Sequence, residues 1–225
     1  MSTLFVVATP IGNLSDLTPR AAQTLREADL ILAEDTRVAA TLLSHLGTKG
    51  KTVTRYDEHV HRKALAIALE ALREGKNVAL TTDAGTPGIS DPGARLVAAI
   101  RREAPKVSII PIPGPSAVTA LLSVSGFPAD QFYFAGFPPH KKGRERFFRD
   151  LAARSETVVL YESPHRILKT LDELLAVYGA PREVVVGREL TKIYETIMAG
   201  PLGAVTEKLK NGSIKGEFVI VVSSK

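Results

Sequence analysis

Glu34-Asp35-Thr36-Arg37 sets two carboxylates, a hydroxyl and a guanidinium side by side, and comparable clusters recur along this 225-residue chain. They are Ala8-Thr9-Pro10-Ile11-Gly12-Asn13-Leu14, Asp83-Ala84-Gly85-Thr86-Pro87-Gly88-Ile89-Ser90-Asp91-Pro92-Gly93, Pro113-Gly114-Pro115-Ser116, Tyr161-Glu162-Ser163-Pro164-His165-Arg166 and Arg188-Glu189-Leu190-Thr191-Lys192. Such residue types move protons and stabilise developing charge. Most of the clusters follow an apolar, β-branched run, and the carboxyl ends of strands are where an open α/β sheet meets its ligand. Ionisable groups crowded onto such loops are costly unless something reacts there, so together they argue for one assembled site.

The segment 83–93 is the strongest local signal. An ordinary strand-to-helix turn needs about two to six residues, and this one is longer, with glycines that let a ligand approach the backbone. Asp91-Pro92 reads as the start of a helix whose free N–H groups suit a carboxylate. The segment 8–14 has a single glycine and is no G-x-G-x-x-G fingerprint, and no P-loop pattern occurs, which disfavours nicotinamide and nucleoside triphosphates. Asp57-Glu58-His59-Val60-His61 offers only two imidazoles and reads poorly as a metal site. No Gly-x-Ser-x-Gly appears, which argues against acyl-enzyme chemistry. His140-Lys141-Lys142-Gly143-Arg144-Glu145-Arg146-Phe147-Phe148-Arg149 is the densest basic stretch, and its aromatics suit phosphate contact with base stacking.

The chain has no cysteine, which removes disulfides, thiolate metal sites and cysteine nucleophiles. A hydrophobic share of 44% is enough for a packed core, and the net charge of +5 suits a polyanionic partner. The start lacks the pattern of a signal peptide and no apolar stretch is long enough to span a bilayer, so a cytoplasmic enzyme without a membrane partner is expected.

The positioning elements alternate. Strands are expected at 4–8, 30–33, around Val53, at 78–81 and at 107–110. Helices are expected at 18–28, 36–46, 64–73 and 91–102, with Thr18-Pro19 as cap and first turn. That alternation means a mostly parallel sheet with helices on both faces. Pro111-Ile112-Pro113-Gly114-Pro115 is the stiffest stretch and marks the junction between an N-terminal domain, 1–112, and a C-terminal domain, 113–225. In the second half, strands at 132–135, 157–161, 184–187, 195–198 and 218–222 and helices at 116–124, 144–153, 164–178 and 202–210 imply a mixed sheet, with Ser163-Pro164 capping the third of these helices.

These segments resemble the tetrapyrrole methylase-like family of S-adenosylmethionine enzymes, the class III methyltransferases. The Thr-Pro-Ile-Gly-Asn-Leu, Glu-Asp-Thr-Arg, Asp-Ala-Gly-Thr-Pro, Tyr-Glu-Ser-Pro-His-Arg and Arg-Glu-Leu-Thr-Lys segments carry the resemblance from Ala8 to Phe218. They point to the subgroup that methylates a cytidine ribose 2′-hydroxyl in the decoding region of small-subunit (16S) ribosomal RNA. The porphyrin and corrin branches carry a Gly-rich first loop and a Gly-Asp-Pro in the second. The resemblance implies two α/β domains, S-adenosyl-L-methionine as methyl donor in the interdomain cleft, no metal, a homodimer, and the small ribosomal subunit as partner. Carried over by motif, the cofactor contacts fall on Pro10 and Ile11, on Thr86 and Ile89, on Ser116 and Ala117, on Tyr161 and on Leu190. Asp83 joins them as a carboxylate for the cofactor's sulfonium or ammonium. Two departures stand out. Close relatives usually continue beyond the last strand with a small helical extension where this sequence ends at Lys225, and Val60 follows Glu58-His59 where they commonly have asparagine.

A ribose hydroxyl is a poor nucleophile at neutral pH, so the resemblance asks for a base or a cation. Candidate bases are Glu34, Asp35, Glu58, His59 and Glu162, and candidate electrostatic helpers are Arg37, Arg166 and Lys192. The alternatives are a C-methyltransferase acting on a tetrapyrrole, a module that binds S-adenosylmethionine or RNA without turnover, and an enzyme for a different RNA nucleotide.

Overall fold

A computed structural model of the chain describes residues 2–224. It divides into two compact units, Met1–Ser116 and Ala117–Lys225. In the first, strands β1 (Thr3–Val7), β2 (Leu30–Ala33), β3 (Thr52–Arg55), β4 (Val78–Thr81) and β5 (Ser108–Ile112) form a sheet in the order β3-β2-β4-β1-β5. Every pairing in it is parallel. Helices α1 (Pro19–Glu27), α2 (Thr36–His45), α3 (His61–Arg73) and α4 (Gly93–Glu103) connect the strands.

The two-residue strand period sorts the core into two layers. Leu4, Leu30, Leu32, Val78 and Leu80 pack against Ala68, Leu72, Leu96 and Ile100 of α3 and α4. Val7, Ile31, Ala79 and Ile112 pack against Ala21, Leu25, Leu42 and Leu43 of α1 and α2. The Thr18 hydroxyl accepts the Ala21 N–H at 3.1 Å and Pro19 opens α1, as the sequence indicated. α3 begins earlier than expected, at His61, because the Asp57 carboxylate takes the His59 and Val60 N–H groups and turns the chain. β5 runs through Pro111, which an edge strand tolerates.

In the second unit α5 (Ala117–Ser125) precedes β6 (Phe132–Phe134), α6 (Arg144–Ala152), β7 (Thr157–Glu162), α7 (Ile167–Tyr178), β8 (Glu183–Arg188), β9 (Thr196–Pro201), α8 (Leu202–Lys210) and β10 (Phe218–Val222). The sheet order is β6-β7-β10-β8-β9; only β6 and β7 run parallel. Val158, Leu160, Val184, Val186, Ile220 and Val222 bury one face under α6, α7 and α8, while α5 lies against β8 and β10. α7 does not start at Pro164. Ser163 and Pro164 form a preceding turn, with the Ser163 carbonyl accepting from Arg166 and Ile167, and no side chain caps the helix.

Gly187 has a steric role. A Cβ there would stand 2.9 Å from both Leu121 Cδ1 and Leu190 Cδ2. Gly187→Ala is expected to cost about 1–3 kcal/mol, as overpacking does. Chemical denaturation checks it, and an unchanged midpoint would show that the two leucines yield freely.

Candidate active site

The β1 connection runs to one face of the first sheet and the β4 connection to the other, since α1 and α4 belong to opposite core layers. β1 and β4 are neighbours, so their carboxyl ends flank a topological switch point, the usual crevice of an open α/β sheet. Here the loops lock together. Thr9 and Gly85 exchange backbone hydrogen bonds of 2.9 and 3.1 Å, and the Thr9 hydroxyl donates to the Thr82 carbonyl. The Thr86 hydroxyl donates to the Pro115 carbonyl at 3.2 Å. A Cβ on Gly114 would lie 3.0 Å from Ala8 Cβ, and one on Gly85 3.4 Å from Ile11 Cγ2. Pro10, Ile11, Asp83, Thr86 and Ser116 therefore stand on interlocked segments, with Pro10 and Ile11 buried and Ile89 exposed.

Beside them opens a cleft of about 500 Å³ lined by Glu34, Asp35, Arg55, Asp57, Glu58, His59, Asp83, Ser90, Asp91 and Pro92. It gathers most of the sequence-derived base candidates. Glu34 Oε2 accepts from the Thr82 hydroxyl at 2.7 Å, and Asp83 Oδ1 accepts the Asp35 N–H at 2.9 Å. Asp83 Oδ2 meets no donor among the described residues. Partial desolvation pushes the Asp83 carboxyl above its ordinary value; the Asp35 N–H opposes this and the neighbouring Glu34 and Asp35 charges add to it. Asp35 is the opposite case. Hydrogen bonds from the Arg37 side chain and backbone hold its carboxyl well below the usual range, and it caps α2. Glu58 and His59 are exposed on the cleft wall.

Asp91 departs from the sequence expectation. Its carboxylate takes the N–H groups of Gly88 and Gly93, so the start of α4 is occupied by the chain's own anion rather than left for a ligand.

Tyr161, Leu190 and Ala117 lie in the second unit. The Tyr161 ring packs against Phe134 and Phe137 at centroid distances of 4.9 and 5.4 Å. Burial raises its hydroxyl pKa, against the Val118 backbone. Glu162 is 1% exposed. One oxygen takes the Ser163 N–H and the Arg166 guanidinium, and the other takes the Thr170 hydroxyl. Both oxygens are thus occupied, the setting of an anchor rather than of a base. Lys192 donates to Glu189 and Glu217, each at 2.9 Å; desolvation opposes its charge, but these contacts outweigh it and raise its pKa, so it stays an ammonium. Ser90, Glu189 and Thr191 are the non-glycine residues with positive φ among those described, and all sit in the clusters picked out from sequence. Backbone strain of this kind gathers at functional sites.

Sequence reasoning missed Arg55 as a cleft-lining residue and took Asp57 only as part of a poor metal candidate. Asp57, two residues before His59, carried a readable signal in its turn-forming position. Arg55, on a short half-exposed strand, carried none. Among the described residues no group of His, Asp and Glu is arranged to hold a metal ion, and no helix is long and apolar enough to cross a membrane.

The Tetrapyrrole (Corrin/Porphyrin) Methylases family matches residues 3–206. The chain is 43% identical to the ribosomal RNA small subunit methyltransferase I of Escherichia coli O157:H7, over 97% of this chain and 77% of that protein. It is 43% identical to the protein of the same name from Thermotoga maritima, over the whole of both chains, and 45% identical to that of Vibrio cholerae, over 97% and 76%. Among solved structures, a cobalt precorrin-4 methyltransferase aligns with a TM-score of 0.74 at 20% identity, over 98% of this chain and 94% of that one. A uroporphyrin-III C-methyltransferase from Thermus thermophilus aligns with a TM-score of 0.67, also at 20% identity and with the same coverage. The low identity of these two speaks for the fold, and the sequence relatives for the group. The chain belongs to the tetrapyrrole (corrin/porphyrin) methylase family, in the group of the ribosomal RNA small subunit methyltransferase I proteins.

Proposed function

We propose that the chain methylates the ribose 2′-hydroxyl of a cytidine in the decoding region of 16S ribosomal RNA, with S-adenosylmethionine as donor. The observation that carries this reading is 43% identity, over 97% of the chain, to a ribosomal RNA small subunit methyltransferase I, beside 20% to the porphyrin and corrin enzymes that share its fold. In-cell substrate and cofactor both belong to a cytoplasmic setting.

The residues present fit such a donor. Its nucleoside and amino-acid ends ask for apolar contact, backbone polar groups and an anion for its cationic centre, and within the first unit Ile11, Ile89, the loop backbone at Thr86 and Ser116 and the nearby carboxylates supply these. When bound, it brings a methyl group already activated by a sulfonium, and no metal is needed for its transfer.

The remaining task is to hold the ribose in line and take its proton. Asp35 is too firmly paired with Arg37 to be a good base, and Glu162 is buried. Asp83 is better suited to accept the proton than to face a cation: one oxygen is fixed by the Asp35 N–H, and the residue lines the cleft. Glu34 holds the Asp83 loop through Thr82. Arg37 remains cationic and supplies electrostatic support, while Lys192, in the second unit, stays an ammonium paired with Glu189 and Glu217. Within the segment 140–149 the exposed His140, Lys141, Lys142, Arg146 and Arg149 contact RNA phosphates, whereas Arg144 and Phe148 are buried and Phe147 packs against the core, so these two rings do not stack on bases as the sequence pattern suggested.

The homodimer implied by the family needs an apolar surface to cover. Ile193 and Tyr194, 90% and 70% exposed, precede the edge strand β9, which carries the exposed Ile197. Ile193→Asp with Tyr194→Asp is expected to give monomers in analytical ultracentrifugation; an unchanged dimer would place the interface elsewhere. The function itself is tested with small subunits lacking the modification: uptake of close to one methyl per particle supports the reading, and no uptake contradicts it.

A further inference from the structure

The loop between β6 and α6 is unusually well held for an exposed basic segment. Gly136 and Gly143, with φ of 66° and 81°, bound it. The Gly136 carbonyl accepts the Tyr161 N–H at 3.0 Å, fixing its start. Pro138 and Pro139 follow, with restricted φ and no N–H of their own. Each of their carbonyls accepts from a guanidinium at 2.8 Å, Pro138 from Arg166 and Pro139 from Arg144. Arg144 is 4% exposed and also meets Glu173 and Thr170, and Arg166 pairs with the buried Glu162. Buried charges of this kind are expensive to assemble. Here they grip two carbonyls of a loop that is otherwise at the surface.

What the loop displays is Phe137 at its start and His140, Lys141 and Lys142 at its tip, all exposed. Phe137 is 51% exposed, with its ring leaning on Tyr161. A rigidly mounted aromatic face beside a cluster of cations is the combination that binds unpaired nucleotides, the ring stacking on a base and the cations meeting phosphates.

We propose that Phe137 is a base-stacking contact for the RNA substrate, and that Arg144, with Arg166 and Glu162, is a positioning cluster that presents it together with Lys141 and Lys142. This rests on the rRNA reading above and goes beyond it by naming the gripping element and its support.

The test compares wild type, Phe137→Ala, Phe137→Trp, Arg144→Lys and the Phe137→Ala/Arg144→Lys double variant on unmethylated small subunits, with S-adenosylmethionine affinity measured in parallel. Stacking is typically worth about 1–3 kcal/mol per base, so Phe137→Ala should raise KM for the subunit roughly 5- to 150-fold with kcat unchanged, and Phe137→Trp should restore it. Arg144→Lys should raise KM in the same direction, and the double variant should fall short of the product of the single effects, because part of each loss runs through the same ring. A KM for Phe137→Ala within twofold of wild type overturns the stacking role. Lost S-adenosylmethionine affinity with unchanged KM for the subunit assigns the ring to the cofactor and also overturns it. Strictly multiplicative effects in the double variant overturn the positioning role. Should Arg144→Lys fail to fold, Lys141→Ala/Lys142→Ala replaces it: a raised KM supports the display surface and an unchanged one overturns it. If wild type itself transfers no methyl to the subunit, the rRNA reading fails, separately from these outcomes.

Discussion

Replacing Asp83 with asparagine is expected to slow single-turnover methyl transfer by about 10²–10⁴-fold, the usual contribution of a general base. The substitution keeps shape and the hydrogen bond from Asp35, and removes the ability to take a proton. The pH dependence gives a second signature. Desolvation raises the Asp83 carboxyl, with the Glu34 and Asp35 charges acting in the same direction and the Asp35 N–H against it. A base works deprotonated, so the wild-type rate should fall as pH drops through that raised value, and the limb should lie above the ordinary aspartate value of about 3.9. In Asp83→Asn the limb disappears. Stopped-flow or quench measurements at saturating donor check both points. A variant that reaches wild-type rate once donor is saturating, but binds the donor weakly, would return Asp83 to the cofactor-contact role its charge suggested from sequence.

The second large effect is on stability. Glu162→Ala is expected to destabilise the protein by about 3–5 kcal/mol, because it strips the largely desolvated Arg166 guanidinium, and the buried Arg144 beside it, of a carboxylate, and to lower Tm by roughly 6–20 °C. The geometry behind this is the burial of Glu162 and its contacts with Ser163, Arg166 and Thr170. Glu162→Gln retains hydrogen-bonding atoms and should lose less. Calorimetry with a parallel rate measurement separates the two roles the sequence leaves open. An anchor loses Tm while the folded fraction keeps its rate at saturating subunit; a base would lose that rate at unchanged Tm.

Much of this was legible because period and punctuation agree. Leu30–Ala33, Val78–Thr81, Leu202–Lys210 and Phe218–Val222 are continuous apolar or amphipathic runs between clear stops, and each element has the bounds its pattern indicates. Where a side chain reaches back to the chain, the pattern misleads. Asp57 starts α3 early, and Glu162 with Arg166 delays α7 by holding the turn at Ser163 and Pro164. The same limit governs the site. Glu34, Asp35 and Asp83 could be picked out by type and loop, but their ranking depends on pairings across the strand ends: Arg37 on Asp35, Thr82 on Glu34, and the Asp35 N–H on Asp83. Asp91 looked like the start of an open anion site for the same reason, since its own grip on Gly88 and Gly93 is a property of the folded loop.

The central claim is ribose methylation of ribosomal RNA rather than carbon methylation of a tetrapyrrole. Its most direct test offers methyl-labelled S-adenosylmethionine together with unmethylated small ribosomal subunits and, in a parallel reaction, uroporphyrinogen. The account predicts label in an alkali-resistant cytidine dinucleotide from the 16S RNA and none in the porphyrinogen. Label in the porphyrinogen alone, or in RNA that alkali reduces fully to mononucleotides, would contradict it.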